Sequence, residues 1–100
     1  MRQVKLSIKN ISSCICTFYN NGKASVMLID NVQTKKEFRG KGYGTKLINK
    51  AMNLAKKNKV DSVELVVNKN DEIAKRLYEK TGFKKTNKDY YRIILNKWSR

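Results

Sequence analysis

The sequence predicts an α+β fold built on one mixed, mainly antiparallel sheet with two main helices, in the order β-β-β-α-β-α-β-β. Three observations predict it. Apolar residues alternate with polar ones near the start, as Val4, Leu6, Ile8 and again as Cys14, Cys16, Phe18, so strands come first. From Tyr43 to about Asn58 the apolar period changes to that of a helix, and it does so again from about Asp71 to Lys80. Turn signals separate the segments, above all Asn20-Asn21-Gly22-Lys23 and Thr81-Gly82.

The first two strands are antiparallel and break near Asn10. A third runs from Ala24 to Thr34, with Val26, Leu28, Asp30, Val32 and Thr34 on one face and Met27, Ile29, Asn31 and Gln33 on the other. Asp30 is unusual as an acid among apolar neighbours. In the first helix Leu47, Ile48, Ala51, Leu54 and Ala55 form the apolar stripe, and Lys46, Lys50, Lys56 and Lys57 take most of the remaining surface. The Asp61–Val67 strand puts Val63, Leu65 and Val67 on one face, Glu64 and Val66 on the other. The second helix carries Ile73, Ala74, Leu77 and Tyr78 on one stripe and ends at Thr81-Gly82 in C-cap fashion. Phe83–Thr86 and Tyr90–Lys97 close the sheet as a hairpin around Asn87-Lys88-Asp89.

Residues 1–100 fit one domain. No apolar run approaches the roughly 18 residues of a membrane span, and Met1–Leu6 lacks the apolar stretch of a signal peptide. A soluble cytoplasmic protein is the default expectation. Cys14 and Cys16 point to one face of a strand, where they read as small core residues rather than a disulfide or a metal site. Histidine is absent, which excludes Ser-His-Asp and Cys-His catalysis and most catalytic zinc sites. With 23 basic and 8 acidic residues the formal net charge is +15. That field favours an anionic partner, such as nucleic acid, a phosphate-rich cofactor or an acidic protein surface, and disfavours a polyamine. A solubilising lysine surface accounts for the charge equally well.

Arg39-Gly40-Lys41-Gly42-Tyr43-Gly44 lies between a strand and a helix. Glycines there let backbone N–H groups converge, the helix N-terminus adds unpaired N–H groups, and Arg39 and Lys41 add charge. Such a nest suits a pyrophosphate. The spacing fits neither the Walker A pattern nor the dinucleotide pattern, and the preceding strands are antiparallel. A structural turn with a helix cap is the simpler alternative.

Two motifs carry a family resemblance. Arg39–Gly44 resembles the Arg/Gln-x-x-Gly-x-Gly/Ala signature of the GNAT N-acetyltransferase superfamily. Ile73-Ala74-Lys75-Arg76-Leu77-Tyr78-Glu79-Lys80-Thr81-Gly82-Phe83 resembles that family's Ala-x-x-Leu-Tyr-x-Lys-x-Gly-Phe motif. They fall in the family's order with a strand between them, and the resemblance covers about Ser25 to Leu95.

The resemblance implies acetyl-CoA as cofactor. It implies that backbone groups of Val32, Gln33 and Thr34 pair with pantetheine, and that the loop amides from Arg39 or Gly40 through Lys41, Gly42, Tyr43, Gly44 and Thr45 hold the pyrophosphate. The cofactor would insert between the splayed Ala24–Thr34 and Asp61–Val67 strands. A backbone N–H near Val32 would serve the oxyanion, and Tyr78 would protonate the leaving thiolate. Periodicity alone reads Tyr78 as an amphipathic aromatic on a core stripe. Two family base positions fall at Leu28 and Val66 here. Asp30 and Glu64 lie two residues from them on the same faces and are the base candidates, with solvent as the remaining route. The family's pantetheine-binding Asn matches Asp71, preceded by Asn70, and Asp71 also suits a helix cap.

Family members usually carry a further N-terminal strand and two helices that shape the acceptor site, and the sequence shows no counterpart of the helices. An acceptor groove that is open, or completed by a partner subunit such as a homodimer mate, follows from the resemblance. It suits a macromolecular acceptor: a protein lysine, a protein N-terminus or an RNA-linked amine, acidic or nucleic-acid-associated. The alternative is a basic nucleic-acid-binding or CoA-binding regulatory module of the same fold without catalysis. Tyr90, Tyr91 and Trp98 near Lys88, Arg92, Lys97 and Arg100 would form its stacking-plus-charge patch, unless they are the apolar edge of the closing hairpin.

Overall fold

A computed structural model describes residues 2–67, 70–86 and 90–95, with Tyr90 placed by its backbone alone. The hairpin turn Asn87-Lys88-Asp89, Lys97, Trp98 and Arg100 lie outside the described residues. The strands are β1 (Arg2–Ile8), β2 (Ser12–Asn20), β3 (Ser25–Thr34), β4 (Ser62–Val66), β5 (Lys84–Lys85) and β6 (Tyr90–Ile94). The helices are α1 (Tyr43–Lys57) and α2 (Glu72–Lys80). One sheet has the order β1-β2-β3-β4-β6-β5, and every pairing is antiparallel except β3 with β4. This is the expected element order and sheet class. Among the described residues no helix is long and apolar enough to cross a membrane.

Turn chemistry sets the register. Asn21 closes the β2–β3 hairpin by accepting at Oδ1 from the N–H groups of Lys23 and Ala24, at 3.0 and 2.9 Å. Lys9 and Asn10, at φ 50 and 59, form the tight β1–β2 turn.

One face of the sheet carries the core. Cys14, Cys16, Met27, Ile29, Val63, Leu65 and Tyr91 meet Leu47, Ile48, Ala51 and Ala55 of α1 and Tyr78 of α2. Both cysteines are free and buried, with Sγ atoms 4.0 Å apart. Its hydrogen bond with Cys14 and its burial together hold the Cys16 thiol well above the ordinary thiol range. The opposite face carries Tyr19, Glu64 and Arg92. Glu64 accepts from Tyr19 Oη at 2.9 Å and from both Nε and Nη2 of Arg92, at 3.1 and 2.7 Å.

Two sequence expectations change and one open alternative closes. Strict alternation through β3 fails at a β-bulge: Ser13 pairs with Gln33 but Ile15 with Asp30, so two β3 residues, Asn31 and Val32, oppose Cys14 alone. Asn31 takes a left-handed φ of 52, and Val32 packs against the core with Met27 and Ile29 instead of sharing the face of Val26. Ile73, expected on the α2 core stripe, is 82% exposed and lines a cleft instead. Tyr91, which the sequence offers either to a stacking patch or to the apolar edge of the closing hairpin, is 2% exposed in the core, in keeping with the apolar edge, and Arg92 is paired with Glu64.

The bulge yields a test. Asn31→Val puts a β-branched residue in the left-handed region and is expected to cost about 1–2 kcal/mol. Asn31→Gly is expected to cost less than about 1 kcal/mol. Denaturant midpoints measure both, and equal losses would refute the bulge.

Candidate active site

The parallel ladder between β3 and β4 runs from Val26–Ser62 to Ile29–Leu65. Among the described residues it goes no further. The bulge follows directly, so β3 turns away from β4, and the side of its last residues that faces β4 has no strand partner there. Ser12 fixes the displaced end: its Oγ donates to Gln33 O at 3.0 Å and lies 2.9 Å from Thr34 Oγ1. Arg39 Nε donates back to Thr34 O at 3.2 Å, which draws the glycine loop onto the strand end.

The glycines of the loop do different work. Gly40 and Gly42 have φ of 78 and 88, a region that a side chain strains. Gly44 lies in the first turn of α1, and a Cβ there would stand 3.0 Å from Leu77 Cδ2 of α2. It permits the close approach of the helices. Phe38 and Tyr43 meet edge to face, with centroids 5.8 Å apart, and brace the loop from either end.

The two helix N-termini differ. Asp71 caps α2 by accepting from Ala74 N–H at 3.0 Å, and Glu72 follows it in the first turn. The N-cap of α1 is Gly42, which offers no side-chain acceptor, and its first turn holds no acidic residue. Among the described residues the N–H groups of Tyr43, Gly44 and Thr45 therefore have neither an intrahelical nor a side-chain capping acceptor.

A cleft of about 740 Å³ joins these parts. Val32, Gln33, Thr34 and Arg39 line one side, and Asp71, Ala74, Leu77 and Tyr78 the other, with Gly44 at the base. It continues past Ser12 and Ser13 toward Lys5 of β1. Of the residues singled out from sequence, Gly40, Lys41, Gly42, Tyr43 and Thr45 belong to the adjoining loop and helix start. Asn70 precedes the α2 cap and is exposed. Asp30 and Glu64 do not line the cleft. Glu64 is held by three hydrogen bonds, whereas the Asp30 carboxylate, one residue before the bulge, has none among the described residues. Sequence reading missed Ser12, and it placed Ala74 and Leu77 on the apolar stripe, where they pack against the core and also line the cleft. Their spacing gave no sign that α2 overhangs a cleft.

Tyr78 is 3% exposed. Its ring lies edge-on to Phe83 and Tyr91, with centroids 6.4 and 6.2 Å away. The C-terminus of α2 sets this packing. Phe83 N–H bonds Tyr78 O at 3.0 Å and Gly82 N–H bonds Glu79 O at 3.2 Å, a Schellman closure with Gly82 at φ 103. Burial, with Asp71 and Cys14 nearby, pushes the Tyr78 phenol up to about 12. At neutral pH it holds its proton.

The profile of the acetyltransferase (GNAT) family matches residues 7–83. An uncharacterised N-acetyltransferase of Methanocaldococcus jannaschii is 36% identical over 85 residues, which is 82% of this chain and 38% of that protein. Among solved structures, the NatC complex bound to Gag peptide and CoA is 21% identical with a TM-score of 0.75, over 85% of this chain and 60% of that one. The PaiA N-acetyltransferase of Thermoplasma acidophilum, in complex with coenzyme A, is 20% identical with a TM-score of 0.74, over 85% and 54%. The chain therefore spans less than two thirds of each of these relatives.

The raised phenol predicts a pH effect with a definite sign. Its folded pKa exceeds the unfolded value of about 10, so its contribution to stability is intact below pH of about 10 and is lost as pH rises through about 12. Phenolate absorbance should show a step near 12 that Tyr78→Phe removes. A step persisting in that variant would reassign it.

Proposed function

The chain belongs to the acetyltransferase (GNAT) family, and we propose that it moves an acetyl group from acetyl-CoA to a primary amine on a macromolecule. One observation carries the reading. A single cleft touches the end of β3, open on the side toward β4, and the buried hydroxyl-bearing Tyr78, beside a helix N-terminus that among the described residues has no side-chain cap and no carboxylate in its first turn.

In this reading the N–H groups of Tyr43, Gly44 and Thr45, with Gly40 and Gly42 shaping the loop and Arg39 and Lys41 supplying charge, hold the pyrophosphate. Val32, Gln33 and Thr34 offer strand-like hydrogen bonds to the pantetheine arm. Asp71 and Asn70 flank that arm from α2. Acetyl-CoA supplies an activated thioester: its C–S bond breaks as a C–N bond to the amine forms. A backbone N–H near Val32 faces the developing oxyanion. Tyr78 gives its proton to the departing thiolate, whose conjugate thiol has a pKa of about 8.5. The attacking amine must shed a proton. Of the two carboxylates, Asp30 is unencumbered and borders the strand gap, so it takes that role, directly or through water. Glu64 instead fixes Tyr19 and Arg92 on the open sheet face. That face has no helix over it among the described residues, which suits an acceptor on a protein or RNA better than a small metabolite.

Calorimetry is expected to give a Kd for acetyl-CoA of about micromolar order, and no heat at millimolar ligand would sink the proposal. Tyr78→Phe is expected to lower kcat by about a hundredfold with KM for acetyl-CoA nearly unchanged. An unaltered kcat would remove Tyr78 as the acid. Mass spectrometry of a cell extract incubated with labelled acetyl-CoA identifies the acceptor.

A further inference from the structure

We propose that the solvent face of α1 is a docking surface for double-stranded RNA. The acids are segregated along the chain: residues 1–60 hold only two of the eight, Asp30 and Glu37, against 13 of the evenly spread 23 Lys and Arg. A surface that serves solubility alone interleaves both signs. α1 has four lysines and no carboxylate, and among the described residues none of the four lysines is in an ion pair. The helix dipole accounts for Lys56 and Lys57 in the last turn. It opposes Lys46, which sits near the positive end.

At about 100° per residue, Lys46, Lys50 and Lys57 fall on one side of the exposed face and Lys56 on the other, with Asn49 and Asn53 between. All six are exposed. The longer row extends roughly 16 Å at 1.5 Å per residue. Lys50 is braced by donating to Ser7 O at 2.9 Å. Lysines match phosphates, and they do so on any nucleic acid. The amides between them both donate and accept, which suits the 2′-hydroxyls displayed in the shallow minor groove of an RNA duplex. Tyr43, the aromatic of α1, is half-buried, edge to face with Phe38 and covered by Lys46 Nζ at 5.5 Å, so it offers no free ring face to stack the bases of a single strand. The proposal rests on charge placement and not on acetyl transfer, and the surface meets the glycine loop only where Lys46 lies over Tyr43.

The test is fluorescence anisotropy of a labelled RNA duplex of about 16 base pairs, titrated with the full chain, without acetyl-CoA, at several salt concentrations. Binding is expected to weaken steeply with salt. The Lys46→Gln/Lys57→Gln variant is expected to bind about tenfold more weakly, with a log–log salt slope smaller by about two. Lys57→Gln alone repeats the test, with about a threefold loss and the least disturbance to the helix. Lys23→Gln, in the β2–β3 turn, should bind as wild type, and Asn53→Ala should weaken RNA more than DNA. Salt-independent binding, undiminished binding by the lysine variants, or equal affinity for a DNA duplex of the same sequence would overturn the proposal. So would equally effective competition by polyglutamate.

Discussion

Asn31 adds one residue to β3 just after the last hydrogen-bonded pair with β4, Ile29–Leu65, and the candidate site depends on that placement. A parallel pair held in register would bury its backbone groups against each other and leave no opening. The bulge bends β3 while β4 continues, so the sheet stays continuous behind the site and parts only at its end. The same extra residue flips the alternation. Val32 turns into the core and anchors the bent strand, and Asn31 and Gln33, joined by a 2.7 Å hydrogen bond, stay outside. Ser12 and Arg39 then hold the free end from the neighbouring strand and from the loop.

The second helix is fixed at both ends and the first at only one. α2 has its Asp71 cap and its Schellman closure, and Thr81 Oγ1 adds a bond to Tyr78 O at 2.9 Å. Tyr91 Oη donates to Glu79 at 3.1 Å and ties the helix to β6. Tyr78 is thereby held between two aromatic rings. α1 ends on Asn58, whose Nδ2 bonds Leu54 O at 2.8 Å, but begins on a bare glycine. The contact of Gly44 with Leu77 sets the spacing of the helices, so the open end of α1 keeps its place beside Tyr78.

The carboxylates are distributed with the same economy. Asp61 accepts from Ser25 N–H at 2.8 Å, Glu64 from Arg92 and Tyr19, Asp71 from its helix, and Glu79 from Tyr91. Each of these orders the fold. Asp30, by the bulge, is the half-buried acid left uncommitted among the described residues. The lysines, by contrast, run along the whole chain, and on α1 and through residues 1–60 hardly any acid answers them.

The element order, the mixed sheet, the glycine loop and the α2 motif around Tyr78 were legible in the residues, because each depends on local period, turn chemistry or short spacing. The cap at Asp71 and the stop at Gly82 were legible for the same reason. The bulge was not: a one-residue excess in β3 exists only relative to β2, and strict alternation put Val32 on the wrong face. The pairing of Glu64 with Arg92 needs the register of β4 on β6, which no local signal contains. Ile73 carried the helical stripe, yet what lies opposite decides whether such a residue meets core or cleft, and for Tyr91 the sequence left patch and apolar edge both open. Sequence periodicity determined which faces were apolar. Only the packed sheet decided which of them found a neighbour, because burial depends on what lies opposite, and that comes from residues distant in the chain.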